Sequence, residues 1–450
     1  MSSLQKEKIQ AAFQERIDYD ELLNCMRCGF CLPSCPTYIQ SGYKESQSPR
    51  GRIALMKAVV DGVMEPDADF EQTLNECLGC RACEPVCPAG VNYGHLLEEA
   101  RDILNQHKKH SLPVKVLRSS FFKHLFPNQK RMQKMTALLG VYQKSGLQTV
   151  ARKTGVMKLF PESLRTMERI LPKTPTLKTM QNKSPFYSTL SERKKVVGFF
   201  TGCLMDTMFN ETNQATIHLL QKAGCHVVIP EVQNCCGALH GHAGEKELAI
   251  QLAKKNIMAF ENEEVDYIIT NAGGCGAFLH DYGHLLKKEP FWAERAEEFA
   301  RKIKDITAVL VELDFHKLDL QLPQQVVTYQ DSCHLRNVQR TFEEPRKLLK
   351  AIKGVTYEEM PDAERCCGSA GIYNLVHSEL SMKHLDYKME RVQETQATTI
   401  VTTNPGCLLQ MKLGIEREGL SERMRAVHIV DLLVEAVGVP GTPRNMSKKN

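Results

Sequence analysis

One tryptophan in 450 residues, and nowhere a run of about 18 apolar residues: the sequence has no segment that reads as a membrane span. Its start offers no secretory pattern either, because Ser2 to Asn24 mixes both charge signs and has no apolar stretch. The expectation is a cytoplasmic chain. No Gly-x-Gly-x-x-Gly follows a predicted strand and no P-loop is present, which excludes a built-in flavin, nicotinamide or nucleotide site of those kinds. Acidic residues are absent from Ile103 to Pro161, where 12 Lys or Arg and the aromatic residues Phe121, Phe122 and Phe126 are found. Such a stretch reads either as a surface for an anionic membrane face or an acidic partner, or as a solvated helical linker. The overall charge of +5 is small for the length, and no nucleic-acid-binding motif occurs, so no nucleic acid partner is expected.

What the sequence has in quantity is cysteine, 17 in all. In a reducing compartment that number points to metal ligands or redox chemistry rather than disulfides. Eight of them form two runs, Cys25-Met-Arg-Cys28-Gly-Phe-Cys31-Leu-Pro-Ser-Cys35-Pro36 and Cys77-Leu-Gly-Cys80-Arg-Ala-Cys83-Glu-Pro-Val-Cys87-Pro88. Both follow the C-x2-C-x2-C-x3-C-P pattern of bacterial 4Fe–4S sites, in which the fourth cysteine serves the other cluster. That pattern assigns Cys25, Cys28, Cys31 and Cys87 to cluster 1, and Cys77, Cys80, Cys83 and Cys35 to cluster 2. Gly29 and Gly79 suit the tight loops required. A zinc site would more often show C-x2-C pairs than two complete runs of four. Arg50 and Arg52, between the runs, either offset cluster charge and raise its potential or are surface arginines paired with glutamates.

Helical spacing is predicted over Leu4–Leu23, Ile53–Val60 and Val91–Gln106, so that a helix follows each cysteine run. Leu171 to Pro185 reads as an extended, proline-punctuated linker. The C-terminal half is an internal repeat. Its first copy has Cys203, Asn234-Cys235-Cys236-Gly237 and Cys275; its second has Cys333, Arg365-Cys366-Cys367-Gly368 and Cys407. The intervals match to one residue: 32 against 33 from the first cysteine to the second, and 39 against 40 from the third to the fourth. Short β-rich runs alternate with helical stretches at Glu211–Lys222, Ala243–Phe260 and Glu379–Gln393, the pattern of a parallel sheet whose carboxyl-end loops carry the cysteines. Four thiols per copy make Cys203, Cys235, Cys236, Cys275, Cys333, Cys366, Cys367 and Cys407 candidates for a further cluster or for zinc. A redox dithiol at the adjacent pair and buried structural cysteines are the alternatives. Cys225, opposite Thr356 in the second copy, reads as an ordinary buried thiol. His240, His242 and His334 lie near the ligands in sequence and either tune a metal or are hydrogen-bonded loop residues.

The expected fold class is α+β multidomain: an α-helical ferredoxin-like domain at 1–106, a basic helical or linker region at 107–194, two α/β cysteine-rich Cys-Cys-Gly repeats with parallel sheets at 195–322 and 323–437, and a disordered tail at 438–450. With no organic hydride acceptor in sight, the chain reads as a one-electron relay that needs a partner. No residue is assigned a catalytic role.

The two four-cysteine runs followed by two Cys-Cys-Gly repeats, with Ser48-Pro-Arg-Gly-Arg52, Cys366-Cys-Gly-Ser-Ala-Gly371 and Asn404-Pro-Gly-Cys407, resemble the iron–sulfur subunit family of glycolate oxidase over nearly the whole chain. The resemblance implies two 4Fe–4S clusters in a complex where a separate FAD subunit oxidises glycolate to glyoxylate. This chain would pass the electrons to a quinone or another acceptor, in the cytoplasm or peripherally on the inner face of the cell membrane. The same architecture occurs in the small iron–sulfur subunit of anaerobic glycerol-3-phosphate dehydrogenase and in heterodisulfide reductases, so the alternative functions are the iron–sulfur subunit of another dehydrogenase, for D-lactate or glycerol-3-phosphate, or heterodisulfide reductase-like chemistry. In the last of these each repeat closes with Cys-x-x-Cys; here the closing segments are Cys275-Gly-Ala-Phe278 and Cys407-Leu-Leu-Gln410. That departure argues against a thiol–disulfide enzyme. A third reading makes the repeats a structural, zinc-bound docking scaffold.

Overall fold

The structure, a computed structural model, describes residues 2–160 and 162–438. The tail expected to be disordered lies, apart from Gly438, outside the described residues. The N-terminal part is helical. Ile9 and Phe13 of the helix Ser3–Arg16 pack on Met56 and Val59 of Pro49–Val60, and on Leu96, Leu97, Ala100 and Ile103 of Tyr93–His107, all within one buried cluster. The single helix predicted over Leu4–Leu23 is two, because Asp18 caps a new helix, Tyr19–Leu23, by accepting from Glu21 N at 3.1 Å. Pro49 occupies the first turn of its helix, where its missing N–H costs nothing, and Ser48 caps it by accepting from Gly51 N at 2.9 Å. A side chain on Gly51 would put Cβ 1.9 Å from Glu45 O, so glycine is required for this close approach.

Residues 112–170 form a string of short helices, Leu112–Arg118, Gln129–Lys144, Leu147–Lys153 and Glu162–Ile170 among them, with a π-helical turn at Ser119–Leu125. One side of this string is anchored. Phe122 packs on His240, and Gln129, Gln133 and Lys183 all reach the buried Asp206 of the first repeat. The following stretch, expected to be extended, contains the short helix Leu177–Gln181, capped by Thr176.

Among the described residues nine strands make two sheets. In the first, β1 (Phe186–Tyr187), β2 (Lys195–Phe199), β3 (Cys225–Val228), β4 (Tyr267–Thr270) and β5 (Ile303–Asp305) run in the order β1-β3-β2-β4-β5, parallel except for the edge strand β1. In the second, β6 (Gln321–Tyr329), β7 (Lys353–Tyr357), β8 (Thr399–Thr402) and β9 (Arg425–His428) run β7-β6-β8-β9, all parallel. Leaving β1 aside, the two orders are the same. The registers agree too: Val197, six residues before Cys203, lies opposite Val227 and Tyr267, while Val327, six before Cys333, lies opposite Tyr357 and Thr399. The duplication read from cysteine intervals is therefore a duplication of sheet geometry. Helices Asn210–Lys222 and Ile429–Val437 fill the space between the sheets with Ile217, Leu219, Leu220, Ile429, Leu432 and Leu433 in one shared core.

Candidate functional site

Each N-terminal cysteine loop bends through two left-handed residues at the same two places. The last residue between the first and second cysteines has positive φ in both loops, Arg27 at 56° and Gly79 at 62°; so does the first residue after the second cysteine, Gly29 at 90° and Arg81 at 57°. The glycine and the arginine have exchanged places between the loops. Cys35 is turned out of its loop by the helix Pro36–Gln40, for which it is the N-cap.

Two cavities result. The first is lined by Cys25, Cys28, Cys31 and Cys87, with Cys83 at its edge; the second by Cys77, Cys80, Cys83 and Cys35. Each cavity thus meets three thiols of one run and the fourth of the other, a donor set that fits a 4Fe–4S cluster in each. Tyr93 lines both, and its buried hydroxyl lies against the Cys77 thiol with no oxygen or nitrogen partner, a donor placed among the thiols that line the cavities. The two sets differ in access. Cys28 is exposed and Cys25, Cys31 and Cys87 are half-buried, whereas all four thiols of the second set are buried.

Their charges differ as well. Arg50, at the first cavity, pairs with Glu45 at 2.7 Å and donates to Arg27 O at 3.0 Å. Arg52, at the second, is wholly buried and meets only neutral acceptors: Thr73 O at 2.8 Å, Thr37 Oγ1 at 3.0 Å, Gln47 O at 2.6 Å and Gln47 Oε1 at 2.5 Å. Arg101 donates to three carbonyls of the same loop, Cys77 O at 2.5 Å among them. Burial pushes the Cys80 and Cys83 thiols well up. It raises Cys77 too, but the guanidiniums of Arg52 and Arg101 outweigh it and leave that thiol below its ordinary value.

In the repeats, every cysteine set sits at carboxyl ends of strands. Cys203 and Cys333 follow β2 and β6, Cys275 and Cys407 lie in the helices that follow β4 and β8, and each Cys-Cys pair is followed by a left-handed glycine, Gly237 at 90° and Gly368 at 88°. The thiols form a contact chain in the same order in both copies: Cys203 to Cys235 to Cys236 to Cys275, and Cys333 to Cys366 to Cys367 to Cys407. Among the described residues no three Cys, His, Asp or Glu side chains are gathered to hold a single metal ion; the thiols are spread along these chains and around the cavities.

One charge separates the copies. Lys388, fully buried and brought down to about 8 by burial, lies near Cys367, whose thiol is held well below its usual range by contacts with Cys366 and Cys407. Lys388 stands eleven residues before Thr399 of β8; eleven before Tyr267, the equivalent place on β4, the first copy has the neutral, buried Asn256, which donates to Cys235 O at 2.9 Å. Cys225 is an ordinary core thiol on β3, pushed up to about 12 by burial. The three histidines are hydrogen-bonded: His240 Nε2 donates to Phe122 O, His242 pairs with Glu98, and His334 Nε2 donates to Gly79 O, at 2.9, 2.8 and 2.9 Å.

The second repeat abuts the inner cysteine set. Cys80 shares a buried cluster with Cys366, Tyr373 and Cys333, and Asn337 Nδ2 donates to Cys80 O at 2.9 Å. Tyr373 Oη donates to Glu76 O at 3.0 Å. The first repeat stands behind the second: Cys275 packs with Cys367 and Cys407, and Gly274 N donates to Asn404 Oδ1 at 3.0 Å. Tyr93, Arg101 and Lys388 were not singled out from the sequence, where nothing in their spacing marks them; Asn404 stood in the Asn404-Pro-Gly-Cys407 motif, with no contact assigned to it.

Two four-thiol cavities of crossed origin define an iron–sulfur electron-transfer protein. Residues 21–91 match the family described as a 4Fe-4S dicluster domain, 197–280 and 327–412 the cysteine-rich domain, and 113–171 the linker region of the glycolate oxidase iron-sulfur subunit. The chain is 64% identical over 432 residues to a probable glycolate oxidase iron-sulfur subunit of Bacillus subtilis (strain 168), covering 96% of this chain and 97% of that one. It is 32% identical to the glycolate oxidase iron-sulfur subunit of Escherichia coli (strain K12), covering 87% and 90%. Lactate utilization protein A 1 of Bacillus cereus (strain AH820) is 33% identical over 53% of this chain and 98% of its own length. The chain belongs to the glycolate oxidase iron–sulfur subunit family, and it is an iron–sulfur protein.

Proposed function

We propose that this chain is the electron relay of a glycolate-oxidising complex, taking single electrons from a separate FAD-bearing subunit and passing them to a quinone or another acceptor. The observation that carries this reading is the pair of crossed four-thiol cavities, one open to the surface and one buried. Cluster 1 would be held by Cys25, Cys28, Cys31 and Cys87, and cluster 2 by Cys77, Cys80, Cys83 and Cys35. The clusters supply one-electron chemistry; the chain's own residues orient them, exclude water from the inner one and set the charge around it. The exposed Met26 and Phe30 beside Cys28 give a partner an apolar landing at the outer set. The repeat cysteines are ligands of a further cluster or of zinc, and the chain divides near 194 and 437 and, with helix Tyr93–His107 and strand β6 kept whole, after His107 and before Gln321 rather than at 106 and 322.

Glycolate is favoured over D-lactate, glycerol-3-phosphate or disulfide chemistry because two full-length relatives carry that name, while the lactate-named match spans 53% of the chain. Anaerobically purified complex is to be mixed with glycolate, D-lactate and glycerol-3-phosphate in turn. Bleaching of the iron–sulfur absorbance by glycolate is expected; a flavoprotein-containing sample that glycolate leaves unbleached would overturn the reading.

The acid-poor stretch supports contact with an anionic membrane face. It exposes Leu112, Leu117, Leu138 and Leu159 together with cations such as Lys115, Lys123, Lys130 and Lys134, while Arg118 is held by Glu245, the mix of apolar and basic residues that binds such surfaces. Among the described residues no helix is long and apolar enough to cross a membrane. Flotation with phosphatidylglycerol vesicles is expected to carry the chain upward at low salt; equal behaviour with neutral phosphatidylcholine vesicles would exclude the charge-based contact.

A further inference from the structure

We infer that Arg52 is the counter-charge of the inner cluster, and that it holds that cluster at a higher reduction potential than the outer one, so that electrons entering at the exposed set run inward. The inference rests on the reading that both thiol sets hold 4Fe–4S clusters.

Arginine is seldom fully buried unless its charge is paired. Arg52 is 0% exposed, yet among the described residues it forms no ion pair, and its four hydrogen bonds end on two carbonyls, a hydroxyl and an amide oxygen. The carboxylate nearest along this network is Glu76, one side chain removed, reached through Gln47 Nε2 at 2.5 Å. What Arg52 does face is the cavity of Cys35, Cys77, Cys80 and Cys83. A cluster with four thiolates is anionic and becomes more so on reduction, so a fixed cation beside it favours the reduced state.

The other cations at the two cavities are already compensated or screened. Arg81 also lines the inner cavity but is held by Glu84 at 2.8 Å and by Asp281 at 2.5 Å. At the outer cavity Arg50 is paired with Glu45, and Arg27 is exposed to water. Arg101, likewise without an ion pair among the described residues, adds to Arg52 through the carbonyls of the Cys77 loop. Burial alone would lower the inner potential; two uncompensated guanidiniums in the same low-dielectric region act against it, and Coulomb effects are strongest there.

The same four bonds hold Arg52 between the Thr37–Gln47 segment and the end of helix Ala68–Asn75, so its removal also threatens the fold. The test therefore uses four variants and the unaltered chain, each purified anaerobically with its clusters and titrated by EPR-monitored reduction. Cys28→Ser, which alters the exposed set, identifies the outer signal. In the unaltered chain the inner signal is expected to be reduced first. Arg52→Gln is expected to make inner-cluster reduction at least tenfold less favourable, a fall of 59 mV or more for one electron, with the outer midpoint unmoved. Arg52→Lys, keeping the charge, is expected to restore most of the shift, and Arg50→Gln to leave the inner midpoint in place.

Samples whose iron and sulfide content and EPR spectra lack two cubane signals would remove the cluster reading itself. With both signals present, an outer cluster reduced first in the unaltered chain would overturn the inference even if Arg52→Gln does not fold. So would an Arg52→Gln chain in which the two midpoints move together or not at all.

Discussion

At single residues, the strain in the cysteine loops is distributed in a way the sequence half conceals. Gly29 and Gly79 look like counterparts, but they occupy different places, and the left-handed place each leaves is filled by Arg81 or Arg27. A non-glycine residue in that region carries a backbone cost, which Arg81 offsets through Glu84 and Asp281. Tyr93 is the other residue where local chemistry sets function. It lines both cavities with its buried hydroxyl against the Cys77 thiol, and a hydrogen bond to a charged acceptor contributes about 1.5 kcal/mol or more. Tyr93→Phe should keep iron content and fold while making reduction of at least one cluster about tenfold harder, read from the same titration. His428 gives a pH dependence. Its Nε2 donates to Asn271 O at 2.9 Å and its Nδ1 accepts from Val430 N at 3.3 Å, so both nitrogens are used by the neutral ring. Burial brings it down to about 4. The unfolded chain binds this proton near pH 6.5 and the folded chain only near 4, so the contribution is complete above 6.5 and lost as pH falls through that window, about 3 kcal/mol in all. Thermal melts from pH 7 to 4 should fall less steeply for His428→Gln, from a lower starting point.

Among the elements, those with their own end signals were legible. Helix Pro49–Val60 ends at Asp61-Gly62 as predicted but begins four residues before the predicted Ile53, at its Ser48 cap, while Tyr93–His107 and Ser378–Gln393 fall within two residues of their predicted limits. The strand β1 was not legible, because two residues carry no periodicity and its place depends on pairing with Val227 and Val228. The short helix Leu177–Gln181 was hidden by the prolines and lysines on either side of it. Gly51 sets two effects in opposition inside one helix. Alanine would add about 1 kcal/mol of helix propensity, but its Cβ would meet Glu45 O at 1.9 Å, backbone that cannot swing aside. The clash wins: Gly51→Ala should lower stability by about 2 kcal/mol or more, seen as a lower melting temperature of the cluster-loaded chain. Since Arg50 and Arg52 flank this residue, the same variant should disturb both cavities.

For the whole molecule, cysteine spacing made the loops legible because a ligand loop is local. The order in which the thiol sets meet was not, since it depends on contacts between parts of the chain some 250 residues apart, such as His334 to Gly79 and Asn337 to Cys80. Those contacts break the equivalence of the two repeats. Equal by duplication, they are unequal by position: the thiol chain that begins at Cys333 starts against Cys80, whereas the chain from Cys203 ends at Cys275, packed on Cys367 and Cys407, and the first repeat meets the inner set through Asp281 on Arg81. The buried Lys388 near Cys367, where the first copy has the neutral Asn256, adds a charge difference in the same sense. Exchange with the inner cluster therefore belongs to the second repeat. Replacing Cys366 by Ser should alter the EPR line shape or midpoint of the inner cluster, through lost packing and charge at Cys80, while Cys235→Ser should leave both unchanged although it removes the equivalent thiol. Equal effects from the two variants would mean that the repeats act on the inner cluster through the fold as a whole, and that the contact between Cys80 and the Cys333–Cys366 pair has no electronic consequence.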